Sequence, residues 1–96
     1  MPFGVYRKLE AHFLIGTYYL ELEEYEKAKQ SFERLADYQN EISEKTLGIF
    51  YKDIGDRYYE IKFLSDALSW YYKGLVLNPA LRVKNIIKKI EAQALN

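Results

Sequence analysis

The sequence predicts an all-α fold made of two antiparallel helix pairs followed by a final helix. Three observations indicate this. Proline is absent between Val5 and Asn78. Apolar residues recur at spacings of three and four, as on one face of a helix. A sparse pattern of large and small residues also occurs twice with the same internal spacing. Because each repeated unit can bury its apolar face only against a neighbour, the repeat is the strongest of the three signals.

The repeated pattern combines an aliphatic residue, a glycine and a tyrosine, followed by an alanine and a second aromatic residue. The separation of the glycine from the alanine is identical in the two copies. The first copy consists of His12, Ile15, Gly16, Tyr19, Ala28 and Phe32. The second copy consists of Tyr51, Ile54, Gly55, Tyr58, Ala67 and Tyr71, and it ends at Pro79.

Periodicity and helix-end signals place five helices. We expect them over about residues 5–22, 25–38, 41–61, 65–77 and 80–95. Ser65 is a candidate N-cap for the fourth helix. The fifth helix should bury the face that carries Val83, Ile86, Ile87, Ile90 and Ala94.

The glycines of the pattern should let the two helices of each pair approach closely. A bulky side chain at Gly16 or Gly55 would force the helices apart. The pattern therefore predicts a core, which we expect to contain Ile15, Tyr19, Ala28, Phe32, Ile54, Tyr58, Ala67 and Tyr71.

Composition narrows the classes of partner. Acidic and basic side chains balance at 14 each, so no overall field attracts nucleic acid or an anionic membrane. Cysteine is absent, which excludes disulfides and thiolate chemistry. The first residues contain no long apolar run, so the sequence predicts neither a signal peptide nor a spanning helix. We expect a cytoplasmic protein.

The duplicated pattern resembles the tetratricopeptide repeat, a helix–turn–helix unit of about 34 residues. The resemblance implies a fragment of an α–α superhelix within a single domain over residues 1–96, with repeats over about 9–42 and 48–81 and a capping helix over about 80–95. Three departures stand out. His12 stands where the family often has tryptophan, and Asn40 replaces the proline that would close the first copy. Gly16 and Gly55 also lie further apart than one family period. The residues in excess of one family period should lengthen the second or third helix by about one turn.

Catalytic chemistry finds little support in the sequence. His12 is the only histidine and occupies a packing position of the repeat, so it lacks the partners that would orient a base or complete a metal site. Asp53 and Asp56 could share a helix face, but two carboxylates alone do not make an active site. We therefore expect no enzyme, no cofactor and no metal.

In the family that this sequence resembles, the first helix of each pair lines a concave groove for a peptide. Carried over by position, the resemblance implies a groove lined by Glu10, Phe13, Leu14, Thr17, Leu20, Glu21, Ile49, Lys52, Asp53, Asp56, Tyr59 and Glu60. Its mixed apolar and acidic character favours a partner peptide or helix with apolar anchors and positive charge. We expect exposed apolar side chains there, Phe13, Leu20 and Tyr59. Beside them we expect three unpaired carboxylates, those of Asp53, Asp56 and Glu60.

Three functions compete at this point. The first is a protein-interaction module that holds a partner's peptide or helix in the groove. The second is a structural unit that self-assembles into a homo-oligomer, because two repeats make a short stack. The third is an enzyme or an RNA-binding repeat, which has the least support in the sequence.

Overall fold

The computed structural model describes residues 3–94, with side chains over 4–93, and within that part of the chain every regular element is helical. The predicted all-α class and the five helices are confirmed. The helices are α1 (Phe3–Glu21), α2 (Tyr25–Glu33), α3 (Glu44–Glu60), α4 (Leu64–Leu77) and α5 (Lys84–Ala94), and α2 continues into a 3-10 turn over Arg34–Tyr38.

The chain divides into two compact units, Met1–Leu47 and Gly48–Asn96. Helices α1 and α2 belong to the first unit, and α4 and α5 belong to the second. The boundary falls within α3, whose first turn belongs to the first unit. Each unit thus contains one copy of the repeated pattern.

In the first unit, α1 and α2 form an antiparallel pair. Tyr19 near the end of α1 lies beside Lys27 at the start of α2, with the ammonium 5.8 Å from the ring centre. Further from the turn, Gly16 faces Phe32, and a Cβ atom at Gly16 would lie 2.6 Å from Phe32 Cδ1. The glycine therefore makes room for an aromatic ring.

The second unit repeats this arrangement. A Cβ atom at Gly55 would lie 2.7 Å from Tyr71 Cε1, so this glycine also makes room for the aromatic residue of its copy. Here the helices meet at a second close approach, where a Cβ at Gly48 would be 3.0 Å from the carbonyl oxygen of Gly74. Helix α5 packs on α4, and Tyr72 donates a hydrogen bond of 2.7 Å to Glu91.

The turns inside the two pairs have the same backbone structure. Glu23 and Lys62 adopt left-handed φ angles of 60° and 66°. The next amide donates across each turn, from Glu24 to the Tyr19 carbonyl at 2.9 Å and from Phe63 to the Tyr58 carbonyl at 3.0 Å. This is the Schellman ending of a helix. The two turns are separated along the chain by the same offset as the two pattern glycines.

Most of the predicted core is confirmed. The buried members are Ala28, Phe32, Ile54, Tyr58, Ala67 and Tyr71. Tyr19 is half-buried, and Ile15 is 45% exposed, so its placement in the core was wrong. The predicted cap at Ser65 was also wrong, because α4 begins at Leu64 and no side chain caps it.

The residues in excess of one family period do not lengthen the second helix of the first copy. Helix α2 and its 3-10 turn together cover 25–38, and α4 covers Leu64–Leu77. These two segments have the same length and the same position relative to Gly16 and Gly55. The extra residues therefore lie after Tyr38, in the 39–43 link and the start of α3. Helix α5 begins at Lys84 rather than near Ala80, since Asn78 Oδ1 accepts the Ala80 amide at 3.2 Å and holds a turn there.

Predicted burial of the last helix is confirmed for Val83, Ile87 and Ile90, while Ile86 is half-buried. Its lysines at 84, 88 and 89 are exposed, as the amphipathic pattern predicts. The side chain of Ala94 lies outside the described residues. Helix α5 thus presents a polar outer surface.

Candidate interaction surfaces

The predicted groove residues of the second copy lie together on one face of α3. At about 100° per residue they fall on the side opposite Ile54 and Tyr58, which are buried. We call this set the α3 face, and it consists of Ile49, Lys52, Asp53, Asp56, Tyr59 and Glu60. Ile49 is exposed, and Lys52, Asp53, Asp56 and Tyr59 are half-buried.

Asp56 is the most heavily partnered group of the α3 face. Its Oδ1 accepts a hydrogen bond of 2.6 Å from the Tyr71 hydroxyl, and its Oδ2 lies 3.0 Å from Lys52 Nζ. Burial and the hydrogen bond to this carboxylate raise the pKa of Tyr71. Asp56 thus ties α3 to α4 and acts as a structural group of the second unit.

Asp53 is the carboxylate of this face with the weakest contacts. It lies 3.9 Å from Lys52 Nζ, at the outer limit of an ion pair. Desolvation raises the pKa of Asp53, opposed by Lys52 and reinforced by Asp56. Glu60 pairs with Arg57. The expectation of unpaired carboxylates is therefore wrong for Asp56 and Glu60, and Asp53 is in weak contact with Lys52.

The predicted groove residues of the first copy spread from the buried to the exposed side of α1. Leu20 is buried, with 6% of its surface exposed, so the prediction that it is exposed was wrong. Phe13 is half-buried and packs 6.2 Å from the Phe32 ring, which gives it a role in the helix pair. Thr17 donates its hydroxyl to the Phe13 carbonyl. The exposed members are Glu10, Leu14 and Glu21.

Sequence reasoning missed an apolar surface on α1. We call it the outer α1 face, and it consists of Ala11, Leu14, Ile15, Tyr18 and Leu22. The four large side chains are between 45% and 59% exposed. On a helical wheel these residues lie opposite the buried Leu9 and Gly16. Helix α1 is therefore apolar on two opposite sides, a signal that a wheel drawn from the sequence would have shown.

A shallow depression of about 350 Å³ adjoins this surface, between α1 and α2, and it shares Ile15 with the outer α1 face. His12 lines the depression, and partial burial together with Arg34 lowers its pKa, with Asp37 acting in the opposite direction. Lys27 and Arg34 also line the depression, and both are in ion pairs, Lys27 with Glu24 and Arg34 with Asp37.

Metal ligands do not cluster on the described part of the chain, since residues 3–94 bring no three His, Asp or Glu side chains together at a possible metal site. Over the same residues, none of the helices has both the length and the apolar character needed to cross a membrane.

Comparison with known proteins identified no relative. No protein-family model matches the chain, and neither a curated protein nor a solved structure is significantly similar to it. The resemblance to the tetratricopeptide repeat thus stays a prediction that rests on the duplicated residues and on the matching helix pairs.

Proposed function

We propose that this chain is a protein-interaction module that binds a peptide or helix of a partner protein through the α3 face. The observation that carries the proposal is Ile49. It is a large aliphatic residue with 47% of its surface exposed, on the side of α3 opposite the buried Ile54. It stands at a position that lines the groove in the family that the sequence resembles, where it is available as an apolar anchor for a bound peptide or helix.

Asp53 gives the α3 face a charge preference. It follows Ile49 by four positions, so the two side chains are neighbours on the helix surface. Its side chain is 44% exposed, and desolvation raises its pKa although Lys52 acts in the opposite direction. A lysine or arginine of a partner would add to the weak 3.9 Å contact of Asp53 with Lys52, whereas Asp56 and Glu60 have closer partners.

The helical architecture supports the same class of function. In the family that the sequence resembles, the first helix of each pair lines the binding groove, and α3 is that helix in the second copy. A helix bound along α3 would use apolar anchors at helical spacing, with a basic residue directed at Asp53.

Selection from a phage-displayed library of random peptides tests this proposal. Peptides enriched on the wild-type protein should share apolar residues and a lysine or arginine. Their affinity, measured by fluorescence polarisation with a labelled synthetic peptide, should fall at least about tenfold in Ile49→Asp, which corresponds to roughly 1.4 kcal/mol. Asp53→Asn should weaken binding of the same peptide by a smaller factor.

Val76→Asp is the matched control, because Val76 is a comparable aliphatic residue on α4 and is 80% exposed. It should leave peptide affinity unchanged. Enrichment of no common peptide, or an affinity that Ile49→Asp does not alter, would rule out the α3 face as the binding surface.

A further inference from the structure

Two residues of the outer α1 face, Ala11 and Ile15, are exposed although their counterparts in the second copy are buried. When the two copies are aligned on Gly16 and Gly55, Ala11 corresponds to Phe50 and Ile15 to Ile54. Phe50 and Ile54 are buried, whereas Ala11 and Ile15 are exposed. At these two positions the first helix is covered in the second copy and open in the first, while the counterparts of Leu14 and Tyr18 are the half-buried Asp53 and Arg57. A contiguous apolar surface of this kind marks an interaction site on a soluble protein.

Side-chain size along α1 makes this surface complementary to itself. If two α1 helices pack antiparallel with their midpoint between Leu14 and Ile15, then Ala11 of one faces Tyr18 of the other. The small residue thereby receives the large one, and this happens twice because a two-fold interface repeats every contact. A parallel arrangement would instead place Tyr18 against Tyr18 and leave a gap between the alanines.

Charge favours the same orientation. The basic residues of α1, Arg7 and Lys8, lie in its first half, and Glu21 lies at its end. Antiparallel pairing about the same midpoint brings Arg7 of one copy near Glu21 of the other. Parallel pairing would bring like charges together at both ends. Glu10 and Glu21 both lie on one flank of the surface, roughly 75–95° from its centre, and in this pairing only Glu21 is level with Arg7 of the other copy.

We propose that a second copy of this chain packs on the outer α1 face, with the two α1 helices antiparallel and related by two-fold symmetry. This surface is separate in residues from the α3 face and does not depend on peptide binding. The exposed Leu14, Ile15, Tyr18 and Leu22 provide the apolar contact, and the Arg7–Glu21 contacts set the direction.

Sedimentation equilibrium over a range of protein concentrations tests the dimer. Wild type should fit a monomer–dimer equilibrium, and Ile15→Lys combined with Tyr18→Lys should raise the dissociation constant at least about tenfold. Both sites are exposed, so circular dichroism should show an unchanged fold. Val76→Lys on α4 should dimerise like wild type. A wild-type protein that remains monomeric, or a double variant that still dimerises, would overturn the proposal.

Charge reversal tests the orientation independently. Arg7→Glu and Glu21→Arg should each weaken the dimer several-fold, because each places like charges together at both ends of the interface. The variant with both changes restores opposite charges and should recover dimerisation. If both single variants dimerise like wild type, or if the combined variant is weaker than either, the antiparallel arrangement is wrong.

Discussion

The two units of this chain use the same frame and leave different surfaces open. In both, a glycine on the first helix faces an aromatic ring on the second, and the turn between the helices adopts the same left-handed conformation. Yet Ile15 is 45% exposed and its counterpart Ile54 is fully buried. The repeated residues therefore determine how two helices pair, and they do not determine which of the remaining faces is covered.

Other differences between the units are local substitutions in this shared frame. Leu9 and Leu35 are fully buried in the first unit. Their counterparts in the second are Gly48 and Gly74, which allow the backbones of α3 and α4 to approach closely. The two units thus fill the same place in different ways, with two leucine side chains in one and with neighbouring backbone in the other.

A second pair of positions changes together. Thr17 and Phe32 of the first unit correspond to Asp56 and Tyr71 of the second. Where the aromatic residue gains a hydroxyl, the facing position gains a carboxylate that accepts it at 2.6 Å. The hydroxyl and the carboxylate that accepts it are thus both present in the second unit and both absent from the first, and the second unit gains a partly buried hydrogen bond.

The largest expected effect on stability distinguishes Ile54 from its counterpart Ile15. Ile54→Ala should reduce the free energy of unfolding by about 2–5 kcal/mol, because it removes fully buried atoms and leaves a cavity. Ile15→Ala should change it by about 1 kcal/mol or less in dilute protein, since 45% of that residue is exposed and its removal leaves no closed cavity. Urea denaturation measures both. Equal losses would mean that the two positions are covered alike.

The glycines should instead behave alike. Gly16→Leu and Gly55→Leu should each destabilise the protein by about 1–3 kcal/mol, because the added side chain overlaps Phe32 or Tyr71. Gly4→Leu is the control, since a Cβ at Gly4 meets nothing within 4 Å. A shift in the denaturation midpoint for only one of the two pattern glycines would show that the pairs are built differently.

Removing the Tyr71 hydroxyl makes the second unit more like the first. Tyr71→Phe should cost about 1.5 kcal/mol, since a hydrogen bond to a charged group is lost while Asp56 keeps Lys52. The pKa of Tyr71 is raised in the folded protein, so its contribution is present below the ordinary value of 10.0 and is lost as the pH rises above it. Thermal melts at neutral and alkaline pH should therefore differ less from each other in Tyr71→Phe than in wild type.

The matching turns predict two matching gains in stability. Glu23 and Lys62 are L-residues in a left-handed conformation that glycine adopts without steric cost. Glu23→Gly and Lys62→Gly should each raise the free energy of unfolding by about 0.5–1 kcal/mol, as measured by thermal denaturation. Ala36→Gly, at an exposed site of the 3-10 turn where φ is not positive, should lower it. A gain at only one turn would contradict their equivalence.

The smallest effect belongs to His12, which corresponds to the buried Tyr51 of the second unit. Its folded-state pKa lies below the ordinary 6.5, so the unfolded chain binds the proton first as the pH falls. Stability should therefore decrease as the pH drops through 6.5, and His12→Gln should lose this part of the dependence. If chemical denaturation gives the same pH profile for both proteins, the partial burial of His12 has no energetic consequence.

The pairing of helices could be predicted from the sequence because it depends on residues close together in the pattern. The spacing of Gly16 to Phe32 and of Gly55 to Tyr71 was sufficient to align α1 with α2 and α3 with α4. Helix ends were harder to predict. The Ser65 prediction failed because the Schellman turn through Lys62 starts α4 one residue earlier, and the sequence shows no glycine at that turn.

The candidate site was predicted less well than the fold, for a different physical reason. Identical repeat positions have different burial when different elements cover them, so Ile15 was assigned to the core from its match to Ile54. Hydrogen bonds were also missed, since the partnership of Asp56 with Tyr71 links residues that the helical pattern does not connect. A helical wheel would have shown that Leu14, Ile15 and Tyr18 oppose the buried face of α1.

The central claim is that one repeat position is open in the first unit and covered in the second. The chain contains no cysteine, so single-cysteine variants can test this directly by the rate at which the thiol reacts with a small disulfide reagent. In dilute native protein, Ile15→Cys should react almost as fast as in denaturant, and Ile54→Cys should be strongly protected. Raising the protein concentration should slow only Ile15→Cys, as a second copy covers it. Equal protection at both positions, or reaction of Ile15→Cys only upon unfolding, would contradict the account.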